Sequence, residues 1–404
     1  MSRTVNLLPV DQALAAILAR VPPVVAERVA LSDAVGRVLA APVVAGHDQP
    51  PFDASAMDGY ALRAADAAEN ARLHVIGMSQ AGAGFAGLVG PGEAVRIFTG
   101  APLPQGADTV IMQEEARRDG EFVSFAAPAR LGHSVRPKGN DFATGDMLIA
   151  SGTRITPMQI AVAAAANCPR LDMARRPRIG LVATGDELVL PGTLLGPGQI
   201  VASNSFGLAA MLAPYAETID DHGIIADDAA LLRQRLAAVF AADPDILITT
   251  GGASVGEHDL VQDALKDLGV SLDFWRINMR PGKPLMFGTR GKTLVFGLPG
   301  NPVSAMVTAI VFIKPALRAW LGHAEPEHWR LPLLAPTPPN SARRHFMRAR
   351  LVHGDDGLGL LPISQTDSGH TSSLAHADML IVQPEHDPGH EAGTLVEALP
   401  IDTF

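Results

Sequence analysis

From residue 179 onward the chain falls into a rhythm that few folds satisfy. Short apolar runs of strand length (179–183, 246–250, 272–277, 293–298) alternate with stretches of helix length (206–213, 227–241, 259–268, 302–321), and most runs end in a turn of glycine and polar residues. Runs that are apolar along their whole length suit strands buried on both faces, and strands separated by helices pair in parallel through crossovers. The segment therefore predicts a doubly wound α/β domain with a parallel sheet, helix 227–241 being capped by Asp227. Sheets of this kind bind ligands beyond the carboxyl ends of their strands.

The rest of the chain has other textures. Residues 1–45 carry an amphipathic helix with Leu14, Ile17, Leu18 and Val21 on its apolar face, then a short helix flanked by strand-like pieces. Residues 47–140 are rich in Gly and Pro, with β-like runs at 73–76, 94–98, 109–113 and 122–125, and read as an inserted all-β domain. Helix resumes at Thr156, where Pro157 and Gln159 complete a capping box. The tail after about 326 is Pro-rich and then strand-like at 349–352, 358–363, 379–382 and 394–397. Four domains are expected: 1–46 with 141–176 (helical and mixed, discontinuous), 47–140 (inserted β), 177–325 (α/β) and 326–404 (small β).

Composition narrows the classes of function. With 47% apolar and 18% charged residues in 404, the chain can bury a large core. A net charge of −10 argues against nucleic acid as the main partner. One cysteine, Cys168, excludes an intramolecular disulfide and any metal site built from several cysteines, and suits a reducing, cytoplasmic setting. The N-terminus carries Asp11 in its apolar stretch and lacks the features of a signal peptide, and no uninterrupted apolar run approaches the roughly 18 residues of a membrane span.

The chemistry-bearing turns lie at strand ends. TGDEL (184–188) offers Asp186 and Glu187 either to a hard cation such as Mg²⁺ or merely to a helix dipole. TTGGASVGEHD (249–259) supplies Gly251 and Gly252 for close backbone approach to an anion and opens the next helix at Asp259. LPGNPVS (298–304) sets Gly300, Asn301 and Ser304 at a helix start, with Asn301 as its cap and Pro302 first in the helix. RINMRPGKP places Arg276, Arg280 and Lys283 together, cations that suit an oxyanion or are simply solvated. Arg343, Arg344, Arg348 and Arg350, followed by QTDSGHTSS with Ser368, form a second cluster of the same kind. No GxxxxGK[ST] motif occurs, and the glycine pattern at 82, 84 and 87 lies in β texture with no helix after it, which weakens ATPase and dehydrogenase readings. None of the 13 histidines sits in HExxH.

Taken together, PPFDASAMDGYA, TGAPLPQGADTVIMQEE, KGND, TGDEL, Ser203-Asn204, GGASVGEHD, PGKP and GLPGNPVS resemble, in order, the molybdopterin molybdenumtransferases, the MoeA family that includes the gephyrin E domain. The resemblance implies an elongated four-domain subunit and a homodimer, with the site between the α/β domain of one copy and the inserted β domain of the other. It implies insertion of molybdate into adenylylated molybdopterin with release of AMP, with Mg²⁺ as cofactor. By motif, it gives catalytic roles to Asp58, Glu187, Asp259 and Lys283. Substrate or phosphate contacts fall to Thr99, Asp141, Gly251, Gly252, Ser254, Gly300, Asn301 and Ser304. Molybdate falls to Arg276, Arg280, Arg348 and Ser368, and the metal to Asp186, Glu187, and Asp227 or Asp228. Small-molecule substrates, a molybdopterin adenylyltransferase and apo-molybdoenzymes are the partners implied. Two alternatives stay open, the adenylyltransferase activity itself and a non-catalytic cofactor carrier.

Overall fold

The computed structural model describes residues 7–252, 259–323, 329–354, 357–365 and 367–401. The α/β segment runs β1 (Arg178–Thr184), α1 (Asn204–Leu212), β2 (Thr218–Ile225), α2 (Ala229–Ala241), β3 (Ile246–Thr250), α3 (Leu260–Asp267), β4 (Ser271–Arg276), β5 (Pro284–Arg290), β6 (Thr293–Leu298) and α4 (Pro302–Thr308). A π-helical turn, Ala309–Ile313, joins α4 to α5 (Lys314–Leu321). The sheet order is β2-β1-β3-β6-β5-β4. The pairs β1–β2, β1–β3 and β3–β6 are parallel, in a register that sets Ile179 beside both Ile219 and Ile246.

The sheet departs from the all-parallel expectation at one side. β5 pairs antiparallel with β6 and β4 pairs antiparallel with β5. The reason is local: only Gly291 and Lys292 separate β5 from β6, and a two-residue link makes a hairpin, never a parallel crossover. Apolar cores cover both faces. On one, α1, α4, the π-helical turn and α5 pack through Leu208, Val303, Phe312 and Leu317. On the other, α2 and α3 pack through Leu232, Leu236, Val261 and Leu265. The sheet is therefore doubly wound although mixed.

The stretch Pro302–Leu321 is long and apolar enough to cross a bilayer, yet Val303–Ile313 are all buried in this core, so it is a core helix of the α/β domain. The helix Val10–Leu18 presses Val10, Ala13 and Ile17 into the same core, with Leu14 and Val21 packed at its rim.

The inserted region forms a six-stranded sheet with strands in the order Thr109–Met112, Gly59–Leu62, Glu93–Ile97, Arg72–Ser79, Phe122–Phe125, Ala116–Asp119. In the segments flanking the insertion, strand Ala26–Ala30 pairs with Arg170–Ala174. Helix Pro157–Ala165 begins as read, the Thr156 N–H donating to Gln159 Oε1 at 2.9 Å. In the last segment, strands Arg344–Gly354, Met379–Gln383, Leu395–Pro400 and Trp329–Pro332 are neighbours in that order, with Gly357–Pro362 paired to the first. That sheet takes in a strand from the α/β segment. Met279–Arg280 lies parallel to Arg344-His345, which brings the loop after β4 against the start of the longest C-terminal strand.

Candidate active site

At the carboxyl ends of β1, β2, β3 and β6 the chain leaves the sheet through glycine and polar turns, and a crevice of about 400 Å³ opens there. Glu187, Asp227, Gly251, Gly252, Gly300 and Asn301 line it, all of them expected from the sequence. The tightness of the β3 turn explains its glycines. Gly251 sits at φ +86, where a Cβ would fall 2.2 Å from the Thr184 carbonyl oxygen. Only glycine fits both the dihedral and the space.

One flank of the crevice is acidic. The Asp227 N–H donates to Asp186 Oδ1 at 3.0 Å, so the β1 and β2 exits are tied together. Burial, and then the charges of Asp186 and Glu187, push the Asp227 carboxyl above its ordinary range. Asp228 serves elsewhere. It, and not Asp227 as expected, caps α2, its Oδ1 accepting the Leu231 N–H at 2.7 Å. Asp259 likewise caps α3, accepting from the Gln262 N–H at 3.0 Å, and burial raises its carboxyl. Neither Asp228 nor Asp259 lines the crevice among the described residues. Ser254 lies outside the described residues.

A second hollow, of about 440 Å³, shares Pro284, Pro299 and Asn301 with the first. It lies where the α/β and C-terminal segments meet, and its wall carries Arg280, Lys283, Arg343 and His345, with Ser304, Ser368 and Asp367. The α/β side is fixed by a close turn: Gly282 has φ +102, and a Cβ there would lie 2.5 Å from Thr308 Oγ1. The C-terminal side is held by Asn301, whose Nδ2 donates to Ser368 Oγ at 3.0 Å. Asn301 thus occupies the cap position of α4 but makes no side-chain cap bond, contrary to expectation, and its amide nitrogen bridges to the neighbouring domain. Arg280 Nε donates to Asn340 Oδ1 at 3.1 Å, which leaves the guanidinium a fixed approach to the hollow.

His345 is almost fully buried. Burial comes first among the causes that hold its imidazole down at about 4, followed by the Arg280, Arg348 and Arg343 charges, with a partial offset from Gln383. Gln383 Nε2 donates to Pro338 O at 2.8 Å, so its Oε1 is the atom facing His345 Nδ1, at 3.3 Å. Nδ1 therefore carries the proton of the neutral ring.

Two expected oxyanion ligands do not line this hollow. Arg348 is buried and spends its guanidinium on Ser373 Oγ and on the Gln365 and Asp367 carbonyls, anchoring the loop that carries Ser368. Arg276 opens instead onto a separate depression with Leu7, Lys266 and Trp275. Sequence reasoning passed over Arg343 as one member of a cluster and His345 altogether. The signal was strand parity: once the strand begins at Arg344, alternate side chains face opposite sides, and the basic run divides between them.

Asp58 and Thr99 belong to the inserted region and Asp141 lies just past its end, and none of the three lines either hollow. Asp58 is nonetheless held in one orientation. Its Oδ1 accepts both the N–H and the hydroxyl of Thr99 at 2.8 Å, and these bonds hold the exposed carboxyl below its ordinary range. Among the described residues no three His, Cys, Asp or Glu side chains converge as a ready metal cage. A carboxylate pair beside a phosphate-sized crevice does suit Mg²⁺, which commonly takes one or two carboxylates and completes its shell with substrate phosphate and water.

Three family descriptions match successive stretches of the chain: the MoeA N-terminal region (domain I and II) at 8–167, a probable molybdopterin binding domain at 180–319, and the MoeA C-terminal region (domain IV) at 330–401. A molybdopterin molybdenumtransferase of Nostoc sp. is 36% identical over 93% of this chain and 89% of its own. One from Bacillus subtilis is 34% identical over 98% and 94%. The solved structure of a molybdopterin biosynthesis MoeA protein from Pyrococcus horikosii superposes with a TM-score of 0.86 at 30% identity, covering 99% of this chain and all of that one. The chain belongs to the MoeA family of molybdopterin molybdenumtransferases, and is a transferase of molybdenum cofactor biosynthesis.

Proposed function

We propose that the two joined hollows hold the two substrates of one reaction, molybdate in the cationic hollow and adenylylated molybdopterin in the crevice, and that the products are molybdenum cofactor and AMP. The observation that carries this is the shared wall of Pro284, Pro299 and Asn301: a site for a compact oxyanion opens beside one suited to phosphates, so the reactants meet without either leaving its subsite.

Arg280, Lys283 and Arg343 bind the molybdate dianion through charge-assisted N–H donors, and Ser368 and Ser304 offer hydroxyls at its edge. The turns at Gly251, Gly252 and Gly300 let backbone approach the phosphoanhydride closely. As two Mo–S bonds form, one molybdate oxygen departs as water with the two thiol protons. Water splits the anhydride, leaving AMP and the pterin phosphate. Glu187 and Asp227, with Asp186 behind them, would hold Mg²⁺, which neutralises charge on the anhydride when bound. The chain itself needs no nucleophile, and its work is positioning and charge stabilisation.

Asp58, Thr99 and Asp141 join this site only from a second copy, and the reading therefore includes a homodimer. A molybdopterin adenylyltransferase and apo-molybdoenzymes are the partners that would supply substrate and accept product, in the cytoplasm. The test is AMP release from adenylylated molybdopterin with Mg²⁺, with and without molybdate. Molybdate-dependent release supports the reading. Release indifferent to molybdate overturns it, and binding without release overturns it in favour of a carrier.

A further inference from the structure

A fully deprotonated tetrahedral oxyanion presents only hydrogen-bond acceptors. Arg280, Lys283 and Arg343 meet it with N–H groups, but His345, on the same wall, does not. Its Nδ1–H is turned to Gln383 Oε1, so the neutral ring has only the bare Nε2 lone pair left to offer the hollow. That lone pair and an anionic oxygen repel unless a proton stands between them. We propose that His345 is a proton-linked ligand of the oxyanion pocket: capture of a doubly charged tetrahedral anion draws one proton onto Nε2, and binding tightens as pH falls. This rests on the reading of the hollow as the oxyanion site.

The charges around the ring explain why the proton arrives with the anion. Arg280 faces it from the strand Met279–Arg280, Arg343 from just before its own strand, and Arg348 from three residues along that strand. Lys283 and Asp367 line the same hollow, and Asp367 Oδ1 is engaged by the Gly369 N–H at 2.8 Å. Gln383, on the paired strand, is uncharged, with Asp387 Oδ1 3.3 Å behind its amide. Without an anion the cations and burial keep His345 neutral at physiological pH. Two negative charges in the hollow oppose that cationic field and favour the imidazolium. Because the free imidazole titrates at about 4, proton uptake falls in the window above that value and below the raised value of the bound state. There affinity gains up to about tenfold per pH unit.

Sulfate is the probe, since it stays doubly deprotonated over the range. Calorimetry of the full chain at pH 5.5 and pH 8, each in two buffers of different ionisation enthalpy, counts protons per anion. We expect wild type to take up more than about half a proton at pH 5.5 and to bind at least about tenfold more tightly there than at pH 8. H345Q, which offers a neutral N–H donor, should bind with no proton uptake and with affinity independent of pH. No uptake by wild type, or the same uptake by H345Q, overturns the assignment. Unchanged sulfate affinity in K283A would instead refute the hollow as the oxyanion site. Should H345Q fail to fold, the ¹⁵N spectrum of His345 in wild type reads the proton directly: Nε2 becomes protonated on adding sulfate, or the inference fails.

Discussion

Gly251→Ala puts a methyl group where the crevice is tightest, and its cost can be worked from geometry. A non-glycine residue at φ +86 costs about 1–2 kcal/mol. The added Cβ also falls 2.2 Å from the Thr184 carbonyl oxygen, a backbone atom that cannot rotate away, and such overpacking costs a further ~1–3 kcal/mol. The sum is about 2–5 kcal/mol, with the β3 turn pushed off β1. Gly192 makes the control: it has φ +88 but open space at its Cβ, so Gly192→Ala carries the dihedral cost alone, about 1–2 kcal/mol. Urea unfolding of both variants, followed by far-UV circular dichroism, measures the difference. Both should keep the fold at 25 °C, with Gly251→Ala the less stable and losing most turnover. Equal stabilities for the two would refute the claim that backbone crowding sets this turn.

Other perturbations separate site from scaffold. Glu187→Gln removes an exposed charge that has no ion-pair partner among the described residues, so stability should stay within about 0.5 kcal/mol while AMP release falls at least about a hundredfold; unfolding would contradict the role. Arg348→Ala and Lys283→Ala should divide. The first strips a buried guanidinium from Ser373 and the Gln365 and Asp367 carbonyls and should cost about 2–4 kcal/mol in chemical denaturation, whereas the second should leave stability unchanged and weaken oxyanion binding. Asp227 gives a pH signature. Its folded carboxyl is raised, so the folded state holds its proton longer than the unfolded one, and wild type loses stability as pH rises from the ordinary carboxylate value through the raised one. Asp227→Asn should abolish that loss and raise Tm at pH 7 by calorimetry; an unchanged pH profile would refute the raised carboxyl.

Legibility in the sequence followed burial. β1, β3 and β6 were readable because both their faces are covered and their sequences are apolar throughout. β2 was not, since TIDDHGII lies at the sheet edge and is largely polar. β5 was obscured by PGKP, whose turn chemistry drew attention from the strand that follows it. The glycine turns of the crevice were legible because a strand end followed by glycine has few uses. The division of labour among arginines was not. Reading the C-terminal strand from 349 and not from Arg344 hid the alternation that turns His345 one way and Arg344 the other. The acids at helix starts were ambiguous for a related reason: a side chain that can cap a helix can also bind a cation, and only the structure shows that Asp228 and Asp259 accept the N–H three residues on, whereas Asp227 donates its own N–H to Asp186.

The most direct test is to locate the oxyanion itself. Crystals soaked in molybdate and measured at the molybdenum absorption edge should give an anomalous peak among Arg280, Lys283, Arg343 and His345, absent in Lys283→Ala crystals. A peak beside Arg348 or Arg276, or none in the hollow while turnover persists, would contradict the account.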